Sequence, residues 1–128
     1  MYQNRSTLIG FLGKNAEQRF TKTNNVPYTV LSLATKISWK DAKTGEFQSR
    51  TEWHRCIAWG KLGEWAASLT KGAHLQIEGE LRSREYVAAE SKRRVFEIRV
   101  DTILKLDRAE RDQADANPAA EATDEVPY

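Results

Sequence analysis

An all-β barrel of five strands, closed at one end by a single short helix, is the fold class this 128-residue chain predicts. Three observations predict it. Apolar residues alternate with polar ones at a period of two through five segments. One segment alone, Lys61 to Leu69, changes to helical spacing, and it falls between the third and fourth of those strands. The pattern then stops after Leu106, leaving residues 107–128 as a separate acidic tail.

The elements follow in order. Ser6 to Gly13 (STLIGFLG) reads as a first strand whose two glycines mark bends or close backbone approach. Thr23-Asn24-Asn25 is a turn signal. Tyr28 to Trp39 is a long second strand rich in β-branched residues, and Lys40 to Gly45 (KDAKTG) a polar hairpin loop. A third strand runs from about Gln48 to Trp59. In Lys61 to Leu69, Leu62, Trp65, Ala66 and Leu69 fall at i, i+3, i+4 and i+7, the packing stripe of a short helix that Lys71-Gly72 closes. His74 to Tyr86 alternates again, with Leu75, Ile77, Gly79, Leu81 and Ser83 on the core face. Arg82, Arg84 and Tyr86 therefore face out. A polar loop of roughly Ala88 to Arg93 leads to a last strand in which Phe96, Ile98 and Val100 alternate with Glu97, Arg99 and Asp101. Three strands, a helix and two strands is the order of an OB-fold.

Charge divides the chain at the same place. Residues 1–106 hold 18 Lys and Arg against 11 Asp and Glu, whereas residues 107–128 hold 2 against 7. A basic body suits a polyanionic partner through counterion release. The tail, DRAERDQADANPAAEATDEVPY, has too few apolar residues to offset its ordering entropy and is expected to be disordered. No run approaches the roughly 18–20 apolar residues of a membrane span. The single cysteine, Cys56, excludes an internal disulfide and any multi-cysteine zinc site. Neither a secretory pattern nor a cofactor motif is present, so a cytoplasmic location and no cofactor or metal are expected.

The third strand carries the chemistry. Trp53, Arg55, Ile57 and Trp59 share one face. If that face is outward, the rings are stacking platforms for unpaired bases and Arg55 a phosphate or cation–π contact. If it is inward, the tryptophans are core and Glu52, His54, Cys56 and Ala58 meet solvent. Parity alone leaves the two readings level, because Cys56 and Ala58 suit an interior equally well. The fourth strand favours the outward reading, since its Arg82, Arg84 and Tyr86 form a second face of the same make-up. Trp39 stays open: alternation buries it with Leu31, Leu33 and Ile37, while a bulge at the strand end beside Lys40 would expose it. Trp65 lies on the helix stripe and is expected to pack in the core. His54 and Cys56 are two apart, but nothing places a base against the thiol or orients it, so an enzyme is not expected. The closing Asp124-Glu125-Val126-Pro127-Tyr128 joins carboxylates to two apolar side chains, as short docking peptides do, or it is simply where the tail stops.

Over residues 4–106 the chain resembles the bacterial-type single-stranded DNA-binding proteins. The resemblance is carried by Leu8-Ile9-Gly10-Phe11-Leu12-Gly13, Ser38-Trp39-Lys40-Asp41, Thr44-Gly45-Glu46, Thr51-Glu52-Trp53-His54-Arg55, Gly60-Lys61-Leu62, Lys71-Gly72 and Glu78-Gly79-Glu80-Leu81-Arg82. It implies an OB-fold domain over 1–106, assembled as a homotetramer, that binds single-stranded DNA without base specificity in the nucleoid. It implies base stacking by Trp39, Trp53, Trp59 and Tyr86, and phosphate contact by Arg5, Arg55, Lys61, Lys71, Arg82 and Arg84. His54 matches a subunit-interface position. The tip at 124–128 matches one that recruits replication, repair and recombination enzymes, with Tyr128 where an apolar ring is usual. Asn15-Ala16-Glu17 replaces the usual Asp-Pro-Glu turn, and the linker before the tip is short. The competing readings are an OB-fold primosome-type interaction module with secondary DNA binding, and a small hydrolase using Cys56 and His54.

Overall fold

The computed structural model describes residues 1–107. The chain order is β1 (Ser6–Leu12), β2 (Glu17–Phe20), β3 (Pro27–Lys40), β4 (Phe47–Trp59), α1 (Gly60–Ala66), β5 (His74–Ala88) and β6 (Ser91–Lys105). Five of these strands close a barrel in the order β1-β5-β6-β4-β3, with β3 returning to β1 through Phe11↔Ala34 and Leu12↔Leu33. All pairings are antiparallel except β4 with β6, which meet in parallel at Cys56↔Ile98 and Ile57↔Arg99.

A short sixth strand was not expected. β2 pairs with the start of β3 at Glu17↔Val30 through Phe20↔Pro27. Four residues are too few to show a period, so only the turn beyond it is legible. That turn is where the Asn pair forecasts it, closed by the Thr21 N–H donating to the Val26 carbonyl. The loop between β5 and β6 is shorter than expected, because pairing continues to Ala88↔Ser91.

Leu31, Leu33, Cys56, Ala58, Leu75 and Ile77 are fully buried and form the centre of the core, with Leu12, Ile98 and Val100 around them. Two close approaches explain glycines in the first segment. A Cβ on Gly10 would overlap the Ala34 carbonyl oxygen, so β1 reaches β3 only without one. A Cβ on Gly13 would overlap the indole of Trp53, which lies against that bare backbone.

The helix is shorter than its periodicity suggests and its stripe is rotated. Gly63, Ala66 and Leu69 are buried, while Trp65 is 44% exposed and does not join the core. Gly63 is pressed so closely on Ala58 that a small residue there, not a large ring, sets the contact. The helix ends at Ala67, well before Gly72, whose N–H instead donates to the Leu12 carbonyl and ties the following turn to β1.

The longest strands overrun the barrel. On β3 the core face is buried at Leu31 and Leu33 but exposed at Ile37 and Trp39. On β5 it is buried at Leu75 and Ile77 but 47% exposed at Leu81, against the expectation that Leu81 is core. Phe96, opposite Ser83 on β6, is exposed as well. The β5–β6 pair leaves the barrel beyond Leu81 and Ile98, past a register shift at Glu78/Gly79. Asn4 caps that departure: its amide donates to the Leu81 carbonyl and accepts from the Leu81 N–H, at 2.8 and 2.9 Å. Among the described residues, no helix is long and apolar enough to cross a membrane.

Candidate nucleic-acid interface

The outer face of the barrel is built from three registers. β4 turns Cys56 and Ala58 inward, so Trp53, Arg55 and Trp59 point outward, with Trp53 exposed at 62% and Trp59 at 38%. The parallel pairing of Cys56 with Ile98 sets Arg55 beside Glu97, each one residue back on its own strand. The antiparallel β5–β6 register places Arg82 opposite Glu97, with Arg84 two residues along on the same face. An open groove of about 530 Å³ is lined by Phe20, Tyr28 and Trp59 together with Arg55, Arg82 and Arg84.

Rings and cations are ordered within it. Tyr28 and Trp59 lie opposite each other across β3 and β4, their centroids 4.9 Å apart and their planes tilted by 35°. The Arg55 Nε donates to Glu97 Oε2 at 2.8 Å, and Arg84 donates to both carboxylate oxygens at 3.1 and 3.2 Å. The Glu97 side chain is only 12% exposed. Burial pushes its carboxyl upward, but the bonds from Arg84 and Arg55 outweigh that and hold it below the usual carboxylate range. Glu97 in turn raises Arg84 further. Arg82 pairs with its neighbour Glu80. Lys22 and Arg99 also line the groove, and neither has an ion-pair partner among the described residues.

The structure thus brings together four of the residues singled out by sequence: Trp59, Arg55, Arg82 and Arg84. Trp53 lies farther along β4 on the same face, over Gly13, and Tyr86 along β5 opposite Arg93. Trp39 is exposed at 46%, but pairs with Gln48 on the opposite face of the β3–β4 ribbon from Trp53. No bulge is needed to expose it, because the strand has already left the barrel. The remaining cations stand apart from the groove. Arg5 pairs with Glu78 at 2.9 Å beside a second crevice. Lys61 is exposed in α1, and Lys71 follows it in a turn whose backbone N–H donates to Asn15 Oδ1. His54 is partly buried, its Nε2 2.8 Å from the Thr35 hydroxyl. Residues 124–128, the expected docking tip, lie outside the described residues.

Sequence reasoning missed Phe20, Tyr28 and Glu97. Phe20 belongs to the strand that was too short to read. Tyr28 enters the site because the hairpin register sets it against Trp59. The alternation of β6 did put Glu97 outward, and its place opposite Arg82 on the neighbouring strand was the signal available. Burial pushes the Cys56 thiol up to about 12, so at neutral pH it supplies no thiolate.

Comparisons with known proteins agree with this architecture. The structure of the Plasmodium falciparum SSB in complex with ssDNA is similar at a TM-score of 0.72 and 25% identity, over 84% of this chain and 97% of that one. A deletion mutant of the single-stranded DNA binding protein from Thermus aquaticus is similar at 0.68 and 25% identity, over 82% of this chain and 51% of that one. Residues 3–106 match the model of the single-strand binding protein family. A closed five-stranded barrel, a ring-and-arginine groove on its outer face and that match over nearly all the described residues have one common reading: the chain belongs to the single-strand binding protein family.

Proposed function

We propose that this protein binds single-stranded DNA without sequence specificity, by stacking bases on exposed rings and neutralising phosphates with arginine and lysine. Family membership supports single-stranded DNA as the ligand and DNA binding, not catalysis, as the activity. The observation that carries the mechanism is the groove itself, which brings Tyr28 and Trp59 together with Arg55, Arg82 and Arg84. Rings stack on any base, and guanidinium groups meet any phosphate. From the groove, Trp53 on the same face of β4 and Tyr86 on β5 extend the platform along the two ribbons. Trp39 joins it where the strand passes around the ribbon edge. Arg5, Lys61 and Lys71 meet the backbone on its way across the barrel.

Two further parts belong to the same reading. Ile37, Leu81 and Phe96 leave apolar surface on the inner faces of the ribbons, which supports assembly with further copies, a homotetramer with His54 near the interface. The acidic Asp124-Glu125-Val126-Pro127-Tyr128 tip recruits replication, repair and recombination enzymes, with the ring in a pocket and the carboxylates on basic residues.

Titrating the full chain with oligo-dT, while following tryptophan fluorescence and light scattering, tests the reading. Strong quenching is expected, weakening steeply with salt, at roughly 0.7 log unit of affinity per log unit of salt for each phosphate neutralised. No quenching at low salt would sink it, and a monomeric mass would remove the tetramer.

A further inference from the structure

We infer that Glu97 sets the selectivity of the groove, holding Arg55 and Arg84 so that a phosphate without a base is a poor ligand. The inference rests on the single-stranded DNA reading and deepens it. Four arginines line one groove, and an open cluster of that kind would take any polyanion. Three of the four are not open: Arg82 pairs with Glu80, and Arg55 and Arg84 share Glu97. A single carboxylate, itself nearly covered, accepts from Arg55 at 2.8 Å and from Arg84 at 3.1 and 3.2 Å.

Charge-assisted bonds are the strong class, and the Arg55 bond at 2.8 Å has their length, with Arg84 adding two longer ones. A phosphate approaching either guanidinium must share it with, or take it from, Glu97, and meets the repulsion of that carboxylate a few ångströms away. The exchange returns roughly what it removes, one anion for another, so phosphate alone gains little. A nucleotide brings its base as well, and Tyr28, Trp59 and Phe20 stand along the same groove. Stacking supplies the surplus that a base-free chain lacks. Lys22 and Arg99, which line the same groove without ion pairs among the described residues, remain available for the first encounter. Selectivity for nucleic acid over bare polyanion thus comes from an acidic residue placed among basic ones.

The geometry makes Glu97→Gln an informative substitution, because volume is kept while the charge and one of the two accepting oxygens are lost. The test measures, in full-length protein, the affinity for oligo-dT and the ability of long-chain polyphosphate to displace it. Polyphosphate competes poorly with the unaltered chain. In E97Q its apparent affinity is expected to rise about tenfold, while that for oligo-dT rises by less than about threefold, since freed guanidinium groups aid both ligands but stacking already serves one. A scaffold that merely positioned the arginines would show the opposite, loss of both affinities together. An unchanged or smaller ratio of polyphosphate to oligo-dT affinity overturns the inference. Should E97Q not fold, E97D decides: it keeps the charge but withdraws it by one methylene, and the ratio must still rise. Failure of the unaltered chain to bind oligo-dT would bring down the single-stranded DNA reading, and this inference with it.

Discussion

β3 and β4 each consist of two unlike halves. From Thr29 to Leu33, paired with His54 to Ala58, alternate side chains enter a core and are fully or largely covered. From Thr35 to Lys40, paired with Phe47 to Glu52, the same strands run on as a two-stranded ribbon with solvent on both sides. The residues differ little in type: Leu33 and Ile37 lie on one face, four apart, and one is sealed while the other is exposed. What differs is only whether the barrel lies beneath. Barrel halves therefore hold the fold together, and ribbon halves present surface.

The largest effect that tests this division lies within one strand face. Leu33→Ala is expected to cost about 2–5 kcal/mol of unfolding free energy, the range for truncating a sealed aliphatic side chain. Ile37→Ala is expected to change it by less than about 0.5 kcal/mol. Denaturant unfolding of both variants, read in dilute protein, checks the pair. A large loss at Ile37 would show that another copy covers the ribbon and that the exposed half is core in the assembly.

Next in size is the exchange of roles between tryptophans. Trp53→Ala is expected to lower oligo-dT affinity by about 1–3 kcal/mol, the worth of one base–ring stack, with little effect on thermal stability. Trp65→Ala is expected to leave DNA affinity unchanged, although that ring is exposed too, because Trp65 does not line the groove. Fluorescence titration of the two variants side by side separates binding rings from rings that are merely exposed. Equal losses would add Trp65 to the stacking rings.

The division also explains which parts of the molecule were legible. Alternation works where one side of a strand is covered, so Leu31, Leu33, Cys56, Leu75 and Ile77 could be placed from sequence. It fails at Trp39, Leu81 and Phe96, because their strands keep the inward parity after the inside has ended. Strand length in residues was readable, but the length the barrel can cover was not. Trp65 failed for another reason. Helical spacing picks out Leu62, Trp65, Ala66 and Leu69 as the stripe, whereas the close approach to Ala58 puts Gly63 at the contact and leaves the Trp65 ring exposed. The outward face of β4 was reached because β5 offered an independent face of the same make-up. The groove's third wall was not, since Phe20 sits on a strand too short to announce itself and Tyr28 meets Trp59 only through the β3–β4 register. Opposite charges on neighbouring strands, Arg82 and Glu97, held the clue to the ion-pair cluster. The contact with Arg55 needed the parallel β4–β6 register, which no local pattern encodes.

The smallest expected effect sits where barrel and ribbon meet. Glu97 leaves the barrel beside Ile98 and joins Arg55, at the end of the covered half of β4, to Arg84 on the ribbon of β5. Burial raises its carboxyl and the two arginines more than reverse this, so the folded-state pKa lies below the ordinary value of 4.5. A carboxyl depressed on folding adds stability that is fully present above its unfolded value and is lost as pH falls through the folded one. E97Q lacks that contribution at every pH. Its melting temperature should therefore fall below that of the unaltered protein at neutral pH, and the gap should close as pH drops from about 4.5 downward. Because both arginines are partly exposed, the gap at neutral pH is expected to stay under about 1 kcal/mol. Thermal melts of the two proteins from neutral pH to about pH 3 measure it. A gap that did not close on acidification would mean that the amide's own contacts, and not the lost charge, set it, and that barrel and ribbon are coupled here through the continuous strands alone.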